Sequence, residues 1–247
     1  MRLTRIIPQR GINDDNKGKK HALHQLISAA ETEYVELMDD DVQSAPDNPP
    51  LEGDLILMPI RMEGGKSLLE RLQIAEYAAI QELTMMTAKQ GRGVLCSGAH
   101  LIVKRERWLE SWEDLHPELP SGDDMFLLES FKRRGLDIRV ADEERYTAVI
   151  QAVPTWRAFW RQRMRWAGKS GQLKDPDMRR VGLMVLIANI MQLICPLVIL
   201  VKFPIEYRLI KKRDPKVSLG IGIVLEIVYP LYMLVCLVGG FFRRGHW

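Results

Sequence analysis

Three groups of residues in this 247-residue chain have types and spacings that could do chemistry. The first is Asp39-Asp40-Asp41, directly after the run Glu33–Met38. If that run is a strand, carboxylates at i and i+2 leave its carboxyl end on the same side, where they can hold a divalent cation and a ribose. Mg²⁺ uses one or two protein carboxylates plus phosphate oxygens, so a nucleotide diphosphate is the natural third component. An acidic triplet in a solvated loop has the same composition. The second group is Ser121-Gly122-Asp123-Asp124 at the start of a helical pattern. There a carboxylate can act as a base or can simply complement the helix dipole, with Asp124 in the third position of a capping box. The third is Thr155–Ser170, TWRAFWRQRMRWAGKS. Trp156, Phe159, Trp160, Arg163 and Ala167 recur at helical spacing, with Arg157, Arg161 and Arg165 between them, which suits a helix lying among lipid headgroups. Gln162, Arg165 and Trp166 fall at i, i+3 and i+4 on one face, where Arg can neutralise a diphosphate, Gln can donate hydrogen bonds and Trp can stack on a sugar.

The elements that must position these groups read as alternating strand and helix. Lys20–Ala30 has helical spacing, Tyr34–Met38 is a short buried strand ending in the aspartates, and Leu55–Ile60 is another strand. Ser67 opens a helix through a capping box to Glu70, and its pattern runs to Lys89. Val94–Lys104 is strand-like with a break at Gly98. Ser121 caps a helix that stops at Gly135, and Ile138–Ala141 and Tyr146–Ile150 are further strands. This alternation predicts an α/β sheet between helices, with ligands at the carboxyl ends of the strands.

Charge divides the chain. Residues 1–150 carry a net −8, residues 151–180 a net +6 and residues 181–247 a net +5. The basic part adjoins two apolar runs, Val181–Val201 with no charge and Val217–Phe242 with Glu226 alone. Each is long enough to cross a bilayer, so the expectation is a membrane region of about two transmembrane helices, 181–201 and 217–242, rather than nucleic-acid binding. The domain reading is thus 1–150, 151–180 and 181–247. The connector Lys202–Lys216 holds six Lys/Arg, and Arg243-Arg244 adds two. Two simple spans would put the connector opposite the soluble part, against the positive-inside rule, whereas a bend at Pro196 would return it. The opening MRLTRIIPQR is too short and polar for a signal peptide, which places the soluble part in the cytoplasm. Two spans are too few for a transporter, and Cys96, Cys195 and Cys236 cannot build a disulfide framework or a zinc cluster.

Taken in order, D-x-D, G-D-D, Q-x-x-R-W and then apolar helices, the chain from Asn16 onward resembles the membrane-bound family 2 glycosyltransferases, among them cellulose, chitin and hyaluronan synthases. The resemblance implies a GT-A-like, Rossmann-like mixed sheet and transfer of a sugar from a nucleotide-diphospho sugar, a UDP-sugar first, to a saccharide or lipid-linked hydroxyl at the cytoplasmic face of the inner membrane. It implies a Mg²⁺ or Mn²⁺ ion on Asp41, Asp39 near the nucleotide, and Lys17 in the lysine-glycine segment that precedes the first helix. Gly98, in Cys96-Ser97-Gly98-Ala99, would line the acceptor site. Gly122-Asp123-Asp124 matches T-E-D, which makes Asp124 the catalytic base and Asp123 its supporting acid. Gln162, Arg165 and Trp166 match all three fixed positions of Q-x-x-R-W. Asp123 and Asp40 depart from the family's usual residues while keeping the working carboxylates. The family's first strand, its asparagine-glutamate turn and its second strand have no counterpart before the lysine-glycine segment. By comparison with a βαβ unit, on the order of 70 residues of a nucleotide-binding half are missing, and weak nucleotide binding is expected. The alternatives are a catalytically inactive fragment of such an enzyme or a non-enzymatic membrane-anchored assembly subunit.

Overall fold

The computed structural model describes residues 3–8, 18–43, 48–65, 67–119 and 122–242. The chain divides into two compact units, Met1–Ile60 with Thr84–Ile150, and Arg61–Leu83 with Gln151–Trp247.

In the first unit, β1 (Leu3–Ile6), β2 (Tyr34–Met38), β3 (Leu55–Leu57), β5 (His100–Lys104) and β6 (Ile138–Val140) form one mixed sheet in the order β1-β2-β5-β3-β6. β1 runs parallel to β2 and β3 parallel to β6, while β5 is antiparallel to both β2 and β3. The inner strands are apolar almost throughout because both faces are covered, whereas the edge strands β1 and β6 are only part-buried. Tyr34, Ile56, Met58, Ile102, Ala141 and Tyr146 pack together on the sheet. Helices α1 (Lys19–Ala29), α3 (Arg105–Glu110) and α4 (Asp123–Arg133) belong to the same unit. The α/β expectation is met.

Local boundaries differ where backbone chemistry overrides pattern. Leu55–Ile60 is not one strand: it breaks at Met58-Pro59, where proline has no N–H to donate, and β4 (Ile60–Glu63) pairs instead with β7 (Ala148–Gln151) in a separate two-stranded sheet. Of Val94–Lys104, only His100–Lys104 is a strand, and Tyr146 ends a short 3-10 turn rather than opening a strand. Ser121 lies outside the described residues, and Gly122, at φ 93°, is the N-cap residue of α4. The Ser67 capping box forms as expected: Ser67 N–H donates to Glu70 Oε2 at 2.9 Å and Glu70 N–H to Ser67 Oγ at 3.2 Å.

The second unit is helical. It contains most of α2 (Leu68–Lys89), then α5 (Trp156–Ser170), α6 (Pro176–Ile194), α7 (Ile199–Arg213) and α8 (Leu219–Phe242). Asp175 caps α6 by accepting from Met178 N–H at 2.9 Å. Glycines let α8 approach α5 closely: a Cβ on Gly240 would stand 2.8 Å from the backbone nitrogen of Gly168. Val181–Val201 does not form the single span expected from its hydropathy. α6 ends at Ile194, Pro196–Val198 make a 3-10 turn, and α7 follows, because Pro196 lacks the donor needed to carry the ladder on. Among the described residues, one helix is long and apolar enough to cross a membrane, over Leu219–Gly240.

Candidate active site

β2 delivers Asp39 to its carboxyl end, where Asp39 N–H donates to Ala99 O at 3.2 Å and so ties the acidic turn to the segment before β5. Beneath it, Glu36 is fully buried and accepts from Arg5 Nε at 2.7 Å, with its other oxygen 2.9 Å from His100 Nε2. Burial would raise the Glu36 carboxyl, but the bonds from His100 and Arg5 outweigh it and hold the group below its ordinary value.

The lysine-glycine segment meets the acidic turn through Lys19. Its Nζ pairs with Asp39 Oδ1 and stands 3.9 Å from Asp123 Oδ2. Burial alone would lower the Lys19 ammonium, yet Asp123, Asp39 and Asp124 together raise it well above its usual range. The Asp39 carboxyl is also pushed up, chiefly by burial, with Asp123 and Asp41 adding to it against the pull of Lys19. The rise of Lys19 comes from the three carboxylates around it. The neighbouring lysine is structural. Lys20 is fully buried and donates to Leu115 O at 2.5 Å and His116 O at 2.8 Å, pinning α1 in place. Lys17 lies outside the described residues. Lys19 is the described lysine of this segment that meets the acids, and the sequence reading did not single it out. Three lysines around Gly18 carry no internal ranking, although the start of α1 after a left-handed glycine was a usable signal.

α4 presents the other carboxylates from its first turn. Asp124 Oδ2 accepts from Gly98 N–H at 3.0 Å and Oδ1 accepts from Met125 N–H at 2.8 Å. Asp123 is buried and faces Lys19. Gly98 keeps the space between them open: a Cβ there would lie 3.4 Å from Lys19 Nζ and 3.5 Å from Asp124 Oδ2. The structure thus brings Asp39, Gly98, Asp123 and Asp124 together around Lys19. The Cys96 thiol, pushed up by burial and then by the Asp124 and Asp123 charges, is held protonated and is not a nucleophile.

Asp41 is exposed on the turn after Asp39. Among the described residues no three His, Cys, Asp or Glu side chains converge as a metal cage. Mg²⁺ and Mn²⁺ need none where phosphate oxygens complete the shell, and the hard carboxylate oxygens of Asp39 and Asp41 in a negative field fit such an ion.

The Q-x-x-R-W residues sit on α5, in the helical unit. Arg165 is exposed, and Gln162 and Trp166 are half-buried. The residue between them, Arg163, is buried: its Nη2 donates to Glu76 Oε2 at 2.7 Å and its Nη1 to Gln162 Oε1 at 3.1 Å. Its guanidinium carbon lies 4.2 Å from the centre of the Trp166 ring. Arg163 thus contacts two of the three motif side chains, and it shares its helical spacing with Phe159, which is also buried.

The mixed sheet thus carries acids at the carboxyl end of β2 and in the first turn of α4. A family model described as glycosyltransferase like family 2 matches residues 3–169, and the chain belongs to that family. No curated protein matches it.

Proposed function

We propose that the chain is a membrane-bound, inverting glycosyltransferase that moves a sugar from a nucleotide-diphospho sugar, a UDP-sugar first, to a saccharide or lipid-linked hydroxyl. Polysaccharide or glycolipid synthesis at the cytoplasmic face of the inner membrane is the setting. The observation that carries the reading is the Asp124 carboxylate, held by Gly98 N–H beside the Lys19–Asp39 pair.

Asp124 accepts the proton of the acceptor hydroxyl, whose oxygen attacks the anomeric carbon opposite the leaving diphosphate. Gly98 leaves room for that hydroxyl, and Asp123 keeps Lys19 in place. Asp41 would hold a divalent cation, which would supply positive charge to the departing diphosphate, with Asp39 near the nucleotide. On the Q-x-x-R-W resemblance, Arg165 has the role of neutralising a leaving diphosphate and Trp166 that of stacking on a sugar.

The test is release of UDP from UDP-sugars by the membrane-reconstituted chain with Mn²⁺. Turnover should vanish with chelator and return with added metal. Arg165→Ala should lower it about 100-fold, the usual worth of one charge-assisted contact to a leaving group. Arg161→Ala, on the same exposed helix, should leave it near the parent value. Equal losses in the two variants would remove the leaving-group role. Vesicle binding without any UDP-sugar turnover would favour the assembly-subunit alternative.

A further inference from the structure

We propose that His100 is a positioning residue of the active site: bound to the buried Glu36, it fixes the residues just before β5 through which Asp39 and Asp124 are both held. The inference rests on the transferase reading above and deepens it by naming what keeps its base in place.

β2 and β5 lie inside the sheet, where apolar side chains fill both faces at the least cost. Glu36 and His100 break that pattern. Both are fully buried, and Glu36 Oε1 lies 2.9 Å from His100 Nε2. Ile102 stands directly opposite Glu36, and Met38 opposite His100, so the two polar residues are diagonal neighbours on one face. Arg5, opposite Glu36 on β1, donates to its second oxygen at 2.7 Å. Apolar residues of similar size stabilise a core as well as a buried ion cluster does, so stability alone does not account for this one.

The bonds from His100 and Arg5 favour the ionised form of Glu36. A carboxylate only accepts, so His100 Nε2 carries the proton and donates. Nδ1 of the same ring is buried with no hydrogen-bond partner among the described residues. The bond to Glu36 is therefore the polar contact that orients the ring.

The two residues before His100 each hold one acid of the site. Ala99 O accepts from Asp39 N–H at 3.2 Å, and Gly98 N–H donates to Asp124 Oδ2 at 3.0 Å. Both residues lie outside the regular strand, which begins at His100. Their placement follows from the residue that anchors them. The acids depend on this segment unequally. The Asp39 carboxylate has a second hold, its pair with Lys19. The other oxygen of Asp124 accepts from Met125 N–H in its own helix turn, which gives no tie to β5. A shift of residues 98–99 thus frees the base while the acid near the nucleotide stays paired.

Three variants of the full chain test this: His100→Leu, which cannot donate; His100→Gln, whose amide nitrogen can take the place of Nε2; and Glu36→Gln with His100→Leu, which removes the stranded charge. Peptide-resolved hydrogen exchange and UDP release from a UDP-sugar with Mn²⁺ are read in each. In His100→Leu, amides of residues 96–99 should exchange about tenfold faster while those of β1 and β3 keep their rates. Turnover should fall about 10–100-fold, as expected when a reacting group is misplaced by up to about 1 Å, with KM for the UDP-sugar unchanged. His100→Gln should keep parental exchange and most of the turnover. The double variant should melt near the parent yet retain fast exchange and low turnover, and it carries the same comparison if His100→Leu does not fold. Unchanged exchange at 96–99, exchange raised equally across the sheet, or turnover that returns with thermal stability in the double variant would overturn the inference. A parent chain that releases no UDP fails the transferase reading alone. The exchange rates then decide by themselves whether His100 holds the segment.

Discussion

Asp124→Asn should lower turnover by about 10²–10⁴-fold, the range expected when a general base is removed. The change keeps the side chain's shape and leaves one oxygen able to accept from Gly98 or Met125. The amide nitrogen cannot accept from the other N–H, which costs on the order of 1 kcal/mol of stability and leaves the fold intact. Donor binding, read by calorimetric titration with UDP, should be unchanged, because Asp124 points to Gly98 while Lys19 pairs with Asp39. Asp123→Asn should cost much less: that carboxylate faces Lys19 at 3.9 Å and acts on the acceptor only through the lysine. A near-parental Asp124→Asn beside a dead Asp123→Asn would exchange the two roles and make Asp123 the base.

Arg163→Met should destabilise the helical unit by about 3–5 kcal/mol, the cost of stranding one member of a buried ion pair. Glu76 is buried and accepts from Arg163 at 2.7 Å and from Tyr232 Oη at 2.8 Å. Without the guanidinium, its charge keeps only the tyrosine. Thermal unfolding in detergent should shift down by roughly 10 °C. Adding Glu76→Gln should recover much of the loss, since a neutral amide no longer needs a cation. Turnover at permissive temperature should fall too, because Gln162 and Trp166 lose the group that orients them. The control is Arg161→Ala on the exposed face of α5. If Arg163→Met unfolds within 1 kcal/mol of the parent, the ion pair is not what holds the motif.

How much of this was legible in the sequence follows from how local each feature is. The capping box of Ser67 and Glu70, the strand that ends just before Asp39 and the helix over Thr155–Ser170 are written in near neighbours, and each forms. The acids of the site were legible for the same reason, as short runs at the ends of recognisable elements. The α/β class followed from their alternation, and the basic, apolar C-terminal part from charge counts.

Partnership across long separations was not legible. Lys19 and Asp39 are 20 residues apart and Arg163 and Glu76 are 87 apart. Nothing in the local pattern of Lys17, Lys19 and Lys20 says which one reaches the acids and which is spent on two backbone carbonyls. Hydropathy counts Val181–Val201 as one run, Pro196 offered a bend as the alternative, and only the structure ends α6 at Ile194. The sequence by itself determined the chemical groups and the elements that carry them, because periodicity and capping act between near neighbours. Only the tertiary structure decided which charges meet, since the packing of the sheet and of α2 against α5 and α7 sets which distant ions must share a low-dielectric site, where an unpaired one costs several kcal/mol.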